Sequence, residues 1–407
     1  MERTILHCDC NGFFASVECA LNPELKNVPM AVCGSPENRH GIILAKNELA
    51  KACNVQTAET IWQAKKKCKD LVLVPPHHGE YAKYSRAINK IYEKYTDKVE
   101  PFGIDESWLD VTDTVHLFGS GEKIANELRK IVKEKFDITI SVGVSYNKIF
   151  AKLGSDYKKP DATTVINKEN YKKLLFPLKV TNLLYVGKSS NKVLQSMGIK
   201  TIGDLANADR KYLEKKLGKN GIAIYDYANG LDFSPVASIY NKEDQKSISN
   251  AITFKRDLIG IEDIKFAVMI ISDSVVRRMR KLNVKAYTIQ IMIKDDDFKV
   301  ISRQITLNNP THLLKDIVKY SIDLIKNAWN LRIPIRMLSV GVANLVKEGQ
   351  VIEQISLFDK IDEVNTEKQE KIEEAMFKLR DKFGRGSVGI AATIKNDLID
   401  ENYTTQK

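Results

Sequence analysis

Three carboxylates at two distant points of the sequence have the residue types and the surroundings of a metal-dependent active site. Asp9 ends a short apolar run, residues 4–9, that predicts a buried strand. Asp105 and Glu106 stand at a turn that enters a second strand, residues 107–111. Acids placed where neighbouring strands end can converge on one point. Because buried carboxylates without partners are costly, a hard divalent cation is their natural counter-charge.

Such a cluster would carry out phosphate chemistry. Two Mg²⁺ ions held by shared carboxylates activate an attacking oxygen and stabilise a leaving phosphate oxygen. Taken alone, each acid has a simpler interpretation, as a helix cap or as a solvated turn residue. The two loci together, with the residues that flank them, favour the metal site.

The elements that must position these acids predict a mixed α/β fold. Over residues 1–166 short apolar strands alternate with helical patterns, as in 81–95, where apolar residues recur at helical spacing. Residues 167–236 are almost wholly helical and contain a helix, a glycine-led hairpin and a second helix. A polar linker at 237–249 precedes a second, smaller α/β domain at 250–346.

Basic charge is concentrated in the middle of the chain. The 63 lysines and arginines exceed the 52 acids by 11, yet residues 1–166 carry 23 basic against 22 acidic side chains. Residues 167–236 carry 12 against 6, and residues 250–346 carry 16 against 9. An excess confined to two segments suits a polyanion laid across them, since each cation that faces phosphate releases counterions. A merely solvated surface is the alternative that charge alone leaves open.

The cysteines and the hydropathy favour a reducing compartment. All six cysteines fall within the first 68 residues and form no Cys-x-x-Cys pair, which argues against a disulfide framework and against a zinc site. No apolar run approaches the ~18 residues of a membrane helix, and the first residues do not resemble a signal peptide. We expect reduced thiols in a cytoplasmic protein that does not enter a membrane.

With these carboxylates and their neighbours the sequence resembles the Y-family translesion DNA polymerases over residues 1 to about 346. The runs that agree with the family in order and spacing are 9–18, 103–110, 141–145, 147–152 and 159–160. The resemblance implies a right-hand polymerase, an α/β (α+β) multidomain fold. Its parts would be a palm at 1–10 and 79–166, small fingers at 11–78, a helical thumb with a helix-hairpin-helix at 167–236, a linker at 237–249, a little finger at 250–346 and a tail at 347–407.

The resemblance also implies the metal ligands. Asp9 and Asp105 would bridge two Mg²⁺ ions, with the backbone carbonyl of Cys10 as a further ligand and Mn²⁺ as a substitute metal. Glu106 would hold the metal at the primer end and help to activate the 3′-hydroxyl.

A second group would bind the incoming nucleotide. Phe14 would be the steric gate, an aromatic ring that leaves no room for a ribose 2′-hydroxyl, whereas core packing is the simpler interpretation of Phe13. Lys159 would contact the triphosphate as a point charge. The nucleotide-binding residues implied by the family are Cys10, Asn11, Gly12, Phe13, Phe14, Lys46, Lys51 and Lys159.

The fingers depart from the family pattern. Where the family often has a tyrosine and an arginine that contact the triphosphate, this chain has Glu48 and Lys51. A glutamate repels phosphate, so we expect Glu48 to point away and Lys46 or Lys51 to supply the charge, without the bidentate geometry of arginine. The small glycine near the nascent base pair is replaced by Ala58. These departures bear on affinity and rate, and leave the metal site unchanged.

A short peptide at 354–359 resembles the one by which bacterial polymerases dock on the sliding clamp, their β subunit. Leu357 and Phe358 would fill an apolar pocket while Gln354 forms hydrogen bonds at its edge. Beyond it, residues 364–383 predict a charged amphipathic helix, and 384–407 predict a loose tail.

The resemblance therefore implies a template-directed, low-fidelity DNA polymerase that uses primer-template DNA and deoxynucleoside triphosphates in translesion synthesis. No segment resembles a 3′→5′ exonuclease, so we expect no proofreading. We expect a cytoplasmic monomer that joins the nucleoid when it is on DNA. The alternative is a clamp-tethered DNA-binding scaffold of the same fold with little catalysis. A nucleotide cyclase with similar carboxylates would explain neither the helical hairpin nor the clamp peptide.

Overall fold

The computed structural model describes residues 2–34, 41–241, 244–350, 363–390 and 397–399. The chain divides into an N-terminal and a C-terminal unit, with the boundary between residues 242 and 243. None of the described helices has both the length and the apolar character that crossing a membrane requires. All six cysteines are free thiols, as the sequence predicts, and all but Cys53 are buried.

Two sheets form the β-structure of the N-terminal unit. The larger is ordered β5-β6-β1-β7-β8 and is antiparallel except for the pair β7-β8, and the smaller is ordered β3-β2-β4. Their strands are β1 (Ile5–Cys10), β2 (Met30–Cys33), β3 (Ile43–Lys46), β4 (Val72–Val74), β5 (Val99–Pro101), β6 (Glu106–Asp110), β7 (Ile140–Ser145) and β8 (Thr163–Val165).

Helices connect and cover these strands, and helices follow one another from residue 171 to residue 228, as the sequence predicts. The α-helices are α1 (Phe13–Leu21), α2 (Glu48–Ala52), α3 (Ile61–Lys67), α4 (His78–Tyr92), α5 (Val115–Phe118), α6 (Gly121–Phe136), α7 (Lys148–Tyr157), α8 (Tyr171–Leu175), α9 (Lys188–Ser196), α10 (Ile202–Ala206), α11 (Arg210–Leu217) and α12 (Lys219–Ala228). Short 3₁₀ turns occupy Pro23–Asn27 and Val180–Asn182.

Strand β1 is buried along its whole length, as its apolar sequence predicts. Because side chains alternate between the faces of a strand, Leu6, Cys8 and Cys10 enter the apolar core that α4 and α6 share with the sheet. His7 and Asp9 project to the opposite face, where they contact side chains of α7. The strand therefore places an acid and an imidazole on one face, under one helix.

Helix α7 lies directly on strand β7, and two glycines permit this contact. A Cβ at Gly143 would overlap the carbonyl oxygen of Ala151, and a Cβ at Gly154 would come within 2.9 Å of the Gly143 Cα. The start of the helix is fixed by Asn147, whose side chain accepts the N–H of Phe150 at 2.7 Å. The backbone of α7 thus approaches the sheet closely enough for its side chains to reach those of β1.

The C-terminal unit is built on a four-stranded antiparallel sheet ordered β11-β10-β12-β9. A hairpin around residues 295–297 joins β10 to β11. The strands and helices are β9 (Ser247–Leu258), α13 (Gly260–Lys281), β10 (Val284–Asp295), β11 (Val300–Thr311), α14 (Leu314–Ala328), β12 (Ile335–Lys347) and α15 (Glu363–Phe383), with 3₁₀ turns at Glu348–Gln350 and Arg385–Ser387.

The predicted linker at 237–249 is longer than the segment that lacks regular structure. Strand β9 already begins at Ser247. Toward the other end, the N–H of Ile239 donates to the carbonyl of Asp97 at 2.9 Å, so this part of the segment is fixed on the N-terminal unit.

The tail after residue 383 was expected to be loose, and this is wrong at 397–399. Leu398 is fully buried in the core of the C-terminal unit, and its carbonyl accepts the N–H of Lys255 at 3.0 Å. The helix expected at 364–383 is confirmed as α15. The clamp-like peptide, with Gln354, Leu357 and Phe358, lies outside the described residues.

We expect Gly143→Ala to lower the free energy of unfolding by about 3 kcal/mol, at the upper end of the cost of overpacking, because the added methyl group meets helix backbone that cannot rotate away. Urea denaturation followed by circular dichroism measures this change. Gly79→Ala is the control, since Gly79 lies in α4 with open space around it. That variant should match or exceed wild type by up to ~1 kcal/mol. Equal stability of the two variants would contradict the close contact of α7 and β7.

Candidate active site

The paired strands β1 and β6 bring two of the expected acids together. Asp9 and Glu106 are direct partners in the antiparallel register, and the ligand atoms of His7, Asp9 and Glu106 all lie within 4.8 Å of one another. Asp105 precedes β6, and its carbonyl accepts the N–H of Cys10 at 3.0 Å. Its carboxylate is not part of the group of three, but it is close enough to feel the charges of the other two acids.

Two lysines supply positive charge to this pocket. The Nζ of Lys152 lies 2.9 Å from Asp9 Oδ2 and 2.5 Å from Glu106 Oε2. The Nζ of Lys159 lies 2.8 Å from Asp9 Oδ2, and Asp156 is paired with both lysines. Burial lowers the pKa of each lysine, but the carboxylates of Asp9 and Asp156, joined for Lys152 by that of Glu106, together outweigh it and raise both pKa values. Both ammonium groups are therefore firmly charged.

Asp105 is the acid whose charge is not balanced. Burial raises its pKa to about 6, and the negative charges of Asp9 and Glu106 add to the effect. No lysine or arginine of the described segments forms an ion pair with it. For Glu106, by contrast, contacts with His7 and Lys152 outweigh burial and lower the pKa. The pocket fits a divalent cation, because it offers hard oxygen donors and a carboxylate that lacks a counter-charge.

His7 joins the site without having been expected from the sequence. It is fully buried, its Nδ1 lies 2.8 Å from Ser155 Oγ, and its Nε2 lies 3.3 Å from Glu106 Oε2 without a well-aligned hydrogen bond. Burial lowers its pKa, so the ring is neutral and restricts the orientation of the Glu106 carboxylate. The signal in the sequence is the two-residue period of β1, which places His7 on the same face as Asp9.

Lys152 is the second residue that joins the site without having been expected from the sequence. It belongs to the matching run 147–152, yet its role emerges only when α7 is laid on the sheet. On the helix it stands four residues before Asp156, which is the spacing at which helical side chains pair.

The loop between β1 and α1 contains a glycine whose backbone conformation and close surroundings disfavour any other residue. Gly12 has φ of +53°, and a Cβ there would lie 3.2 Å from the carbonyl of Lys46. The side chain of Asn11 is engaged in the protein, since it donates to Ser141 Oγ at 2.9 Å and accepts the N–H of Asp161 at 2.9 Å. Asn11 therefore fixes the loop, while the first N–H groups of α1 have no partner within the helix.

The two phenylalanines that follow have different environments. Phe13 is buried in the core, which confirms the simpler interpretation of that residue. Phe14 is half-buried, and its ring stacks on Tyr81 with centroids 4.2 Å apart and meets the edge of His78. The hydroxyl of Tyr81 donates to the buried carboxylate of Glu18. The Phe14 ring is thus held by a stacked partner that is itself anchored.

The two lysines expected to contact the triphosphate, Lys46 and Lys51, are not equivalent. Lys51 pairs with Glu48 at 3.1 Å, so its charge is already balanced. Lys46 has no ion pair in the parts of the chain that the structure describes, and its Nζ lies 3.4 Å from Thr57 Oγ1. Ala58 has φ of +69°, a left-handed conformation that costs a residue with a Cβ about 1 kcal/mol and that a glycine adopts freely.

Models of known families match three parts of the chain. Residues 8–156 match the impB/mucB/samB family, and residues 245–357 match the C-terminal domain of that family. Residues 182–232 match the family model described as "DNA polymerase-iota, thumb domain". The matched segments contain the three carboxylates, helices α9 to α12 and the antiparallel sheet of the C-terminal unit.

Relatives extend this agreement over nearly the whole chain. DNA polymerase IV of Acetivibrio thermocellus is 47% identical over 388 residues, which cover 95% of this chain and 96% of the relative. DNA polymerase IV 1 of Bacillus subtilis (strain 168) is 36% identical over 398 residues, 97% of this chain and 94% of the relative. The solved structure of a Y-family DNA polymerase chimera matches with a TM-score of 0.75 and 25% identity, over 84% of this chain and 99% of that one. The chain therefore belongs to the impB/mucB/samB family of Y-family polymerases, together with the bacterial DNA polymerases IV, and is a DNA-directed DNA polymerase of translesion synthesis.

Proposed function

We propose that this polymerase adds deoxynucleotides to a primer 3′-hydroxyl with two Mg²⁺ ions held by Asp9, Asp105 and Glu106 and by the carbonyl of Cys10. The observation that carries the proposal is the unbalanced charge of Asp105 beside the Asp9–Glu106 pair. When bound, the ions would promote deprotonation of the 3′-hydroxyl and stabilise the charge on the leaving pyrophosphate.

The residues of the chain would prepare the nucleotide for attack. Lys159 contacts Asp9 here, and about a third of its side chain is exposed, so its ammonium group can turn to the phosphates of a nucleotide. The unpartnered N–H groups at the start of α1 are suited to phosphate oxygens, and Lys46 adds a nearby cation. Lys51 would contribute less, because Glu48 already neutralises it.

Phe14 would select the sugar. Its ring is half-buried and is fixed by Tyr81, so it can present a rigid wall to the 2′ position of a nucleotide. A fixed ring excludes a hydroxyl better than a mobile one, because yielding would require breaking the stack. The few cationic contacts that the fingers offer to the triphosphate support low fidelity and tolerance of damaged templates. No segment of the sequence resembles an exonuclease, so the proposal includes no proofreading.

The clamp and the cellular setting complete the proposal. Gln354, Leu357 and Phe358 would dock on the sliding clamp, which the sequence motif alone supports. Co-elution with a bacterial clamp on a sizing column, and its loss in Leu357→Ala, tests this contact. The chain would act as a monomer in the cytoplasm, on primer-template DNA.

Primer extension tests the two-metal reaction. With Mg²⁺ and the four deoxynucleotides, we expect Asp105→Asn to extend a primer at least ~100-fold more slowly than wild type, because the charge that holds the metals is lost. Asp113→Asn is the control, since Asp113 is an exposed acid that pairs with Lys98 on the surface, and it should keep wild-type activity. Wild-type protein that binds primer-template but adds no nucleotide would instead favour the scaffold interpretation.

The raised pKa of Asp105 predicts a pH-dependent stability. The folded state holds the Asp105 proton more tightly than the unfolded state, so stability declines as pH rises from about 4 through 6. Without metal, Asp105→Asn should therefore melt at a higher temperature than wild type at about pH 8, and this difference should be smaller at about pH 4.5 and disappear below about pH 3. Thermal melts in EDTA measure this, and added Mg²⁺ should stabilise wild type more than the variant. A difference that does not vary with pH would contradict the buried, unbalanced carboxylate.

The sugar gate predicts a change in selectivity. We expect Phe14→Ala to raise the incorporation of ribonucleotides relative to deoxynucleotides by at least ~10-fold, because the wall against the 2′-hydroxyl is removed. Single-nucleotide insertion kinetics with both sugars measure the ratio. Phe13→Leu is the matched control, and it should lower stability by about 1 kcal/mol while leaving the ratio unchanged. If Phe14→Ala incorporates ribonucleotides and deoxynucleotides in the same ratio as wild type, Phe14 is not the steric gate.

A further inference from the structure

An exposed tryptophan stands on helix α3 of the fingers segment. The side chain of Trp62 is 71% exposed, although the two other tryptophans of the chain are buried or half-buried. A large aromatic group left in water forgoes the stabilisation that burial would give. An exposed ring of this size is available to stack against a ligand.

Helix α3 presents this ring on a rigid base. Thr60 and Gln63 form a reciprocal capping box that fixes the first turn. Ala64 is fully buried against the core of the fingers segment, so the helix is seated on that side. At the other end, Lys67 is tied back to Glu59 at 2.5 Å. The orientation of the helix, and hence the position of the ring, is therefore well determined.

The surroundings of the ring are cationic. Residues 61–69 include four lysines and no acid. Lys66 lies over the Trp62 ring, with its Nζ 5.4 Å from the centroid. Of the four, only Lys67 forms an ion pair with another described residue, which leaves Lys65, Lys66 and Lys69 available to an anion.

We propose that Trp62 is a stacking platform for an unpaired base of the template strand, with Lys65, Lys66 and Lys69 facing its phosphates. An exposed aromatic ring beside unpaired cations is the combination that binds single-stranded nucleic acid, because every base has a face that stacks and every nucleotide carries a phosphate. A polymerase that copies a template presents such unpaired bases beyond the primer end. The lysines around Trp62 argue against two other kinds of partner. A basic protein would be repelled by them, and a purely apolar surface would leave them without a contact. The inference rests on template-dependent synthesis, but not on the two-metal mechanism.

Equilibrium binding without metal or nucleotide tests the platform. Fluorescence anisotropy gives the affinity for a labelled primer-template with a 5′ template overhang and for the same duplex with a blunt end. We expect Trp62→Leu to weaken binding to the overhang substrate by about 5- to 150-fold, the range for loss of one stacked base, and to leave the blunt duplex unchanged. Tryptophan fluorescence should be quenched by the overhang substrate in wild type and far less in the variant.

Two further variants separate stacking from charge and from general loss of apolar surface. Lys66→Gln should lower the slope of log affinity against log salt by about 0.7 on the overhang substrate, as one phosphate contact is lost. Leu117→Ala removes an apolar side chain that is 67% exposed but has no ring, and it should bind both substrates as wild type does. Equal weakening of both substrates by Trp62→Leu, or no weakening of either, would overturn the proposal. If wild type fails to extend a primer while Trp62→Leu selectively weakens binding to the overhang substrate, the result counts against the two-metal mechanism and not against the stacking platform.

Discussion

The approach of helix α7 to the backbone of strand β7 is the contact on which the active site depends. Gly143 and Gly154 leave no side chain between the two elements, so the helix backbone rests on the sheet. At that distance a lysine on the helix reaches Glu106 on β6, and a serine on the helix reaches His7 on β1. A separation larger by the width of a methyl group would break these contacts together, because all of them originate from one rigid helix.

Charge around the three acids is arranged so that two lysines partly neutralise them. Lys152 and Lys159 act as internal counterions for Asp9 and Glu106, at distances that ordinary ion pairs have. They do not pair with Asp105, whose carboxylate therefore remains buried and repelled by Asp9 and Glu106. In the proposed mechanism a cation bound by these acids would offset this repulsion and would release Lys159 toward a phosphate. The same two lysines would thus support both the empty and the loaded pocket.

Local sequence patterns were sufficient for the strand that contains Asp9, for the strand that follows Asp105, and for the position of the acids at strand ends. They were sufficient because alternation and turn residues act over a few positions. His7 and Lys152 could not be assigned in the same way, since their partners lie 99 and 143 residues away along the chain. The buried position of Leu398 has the same origin, because the adjacent pair Leu398 and Ile399 in a polar stretch is too short to show a period.

The order of strands in the C-terminal unit has a consequence for folding during synthesis. Strand β9 is made first in this unit, but it pairs only with β12, the last strand of the sheet. The ribosome must therefore add the helices α13 and α14 and the whole β10–β11 hairpin before β9 finds its neighbour. Until then an unpaired strand with apolar residues is open to other chains, which is the kind of species that chaperones bind. The late arrival of Leu398, 143 residues after its partner Lys255, extends that interval further.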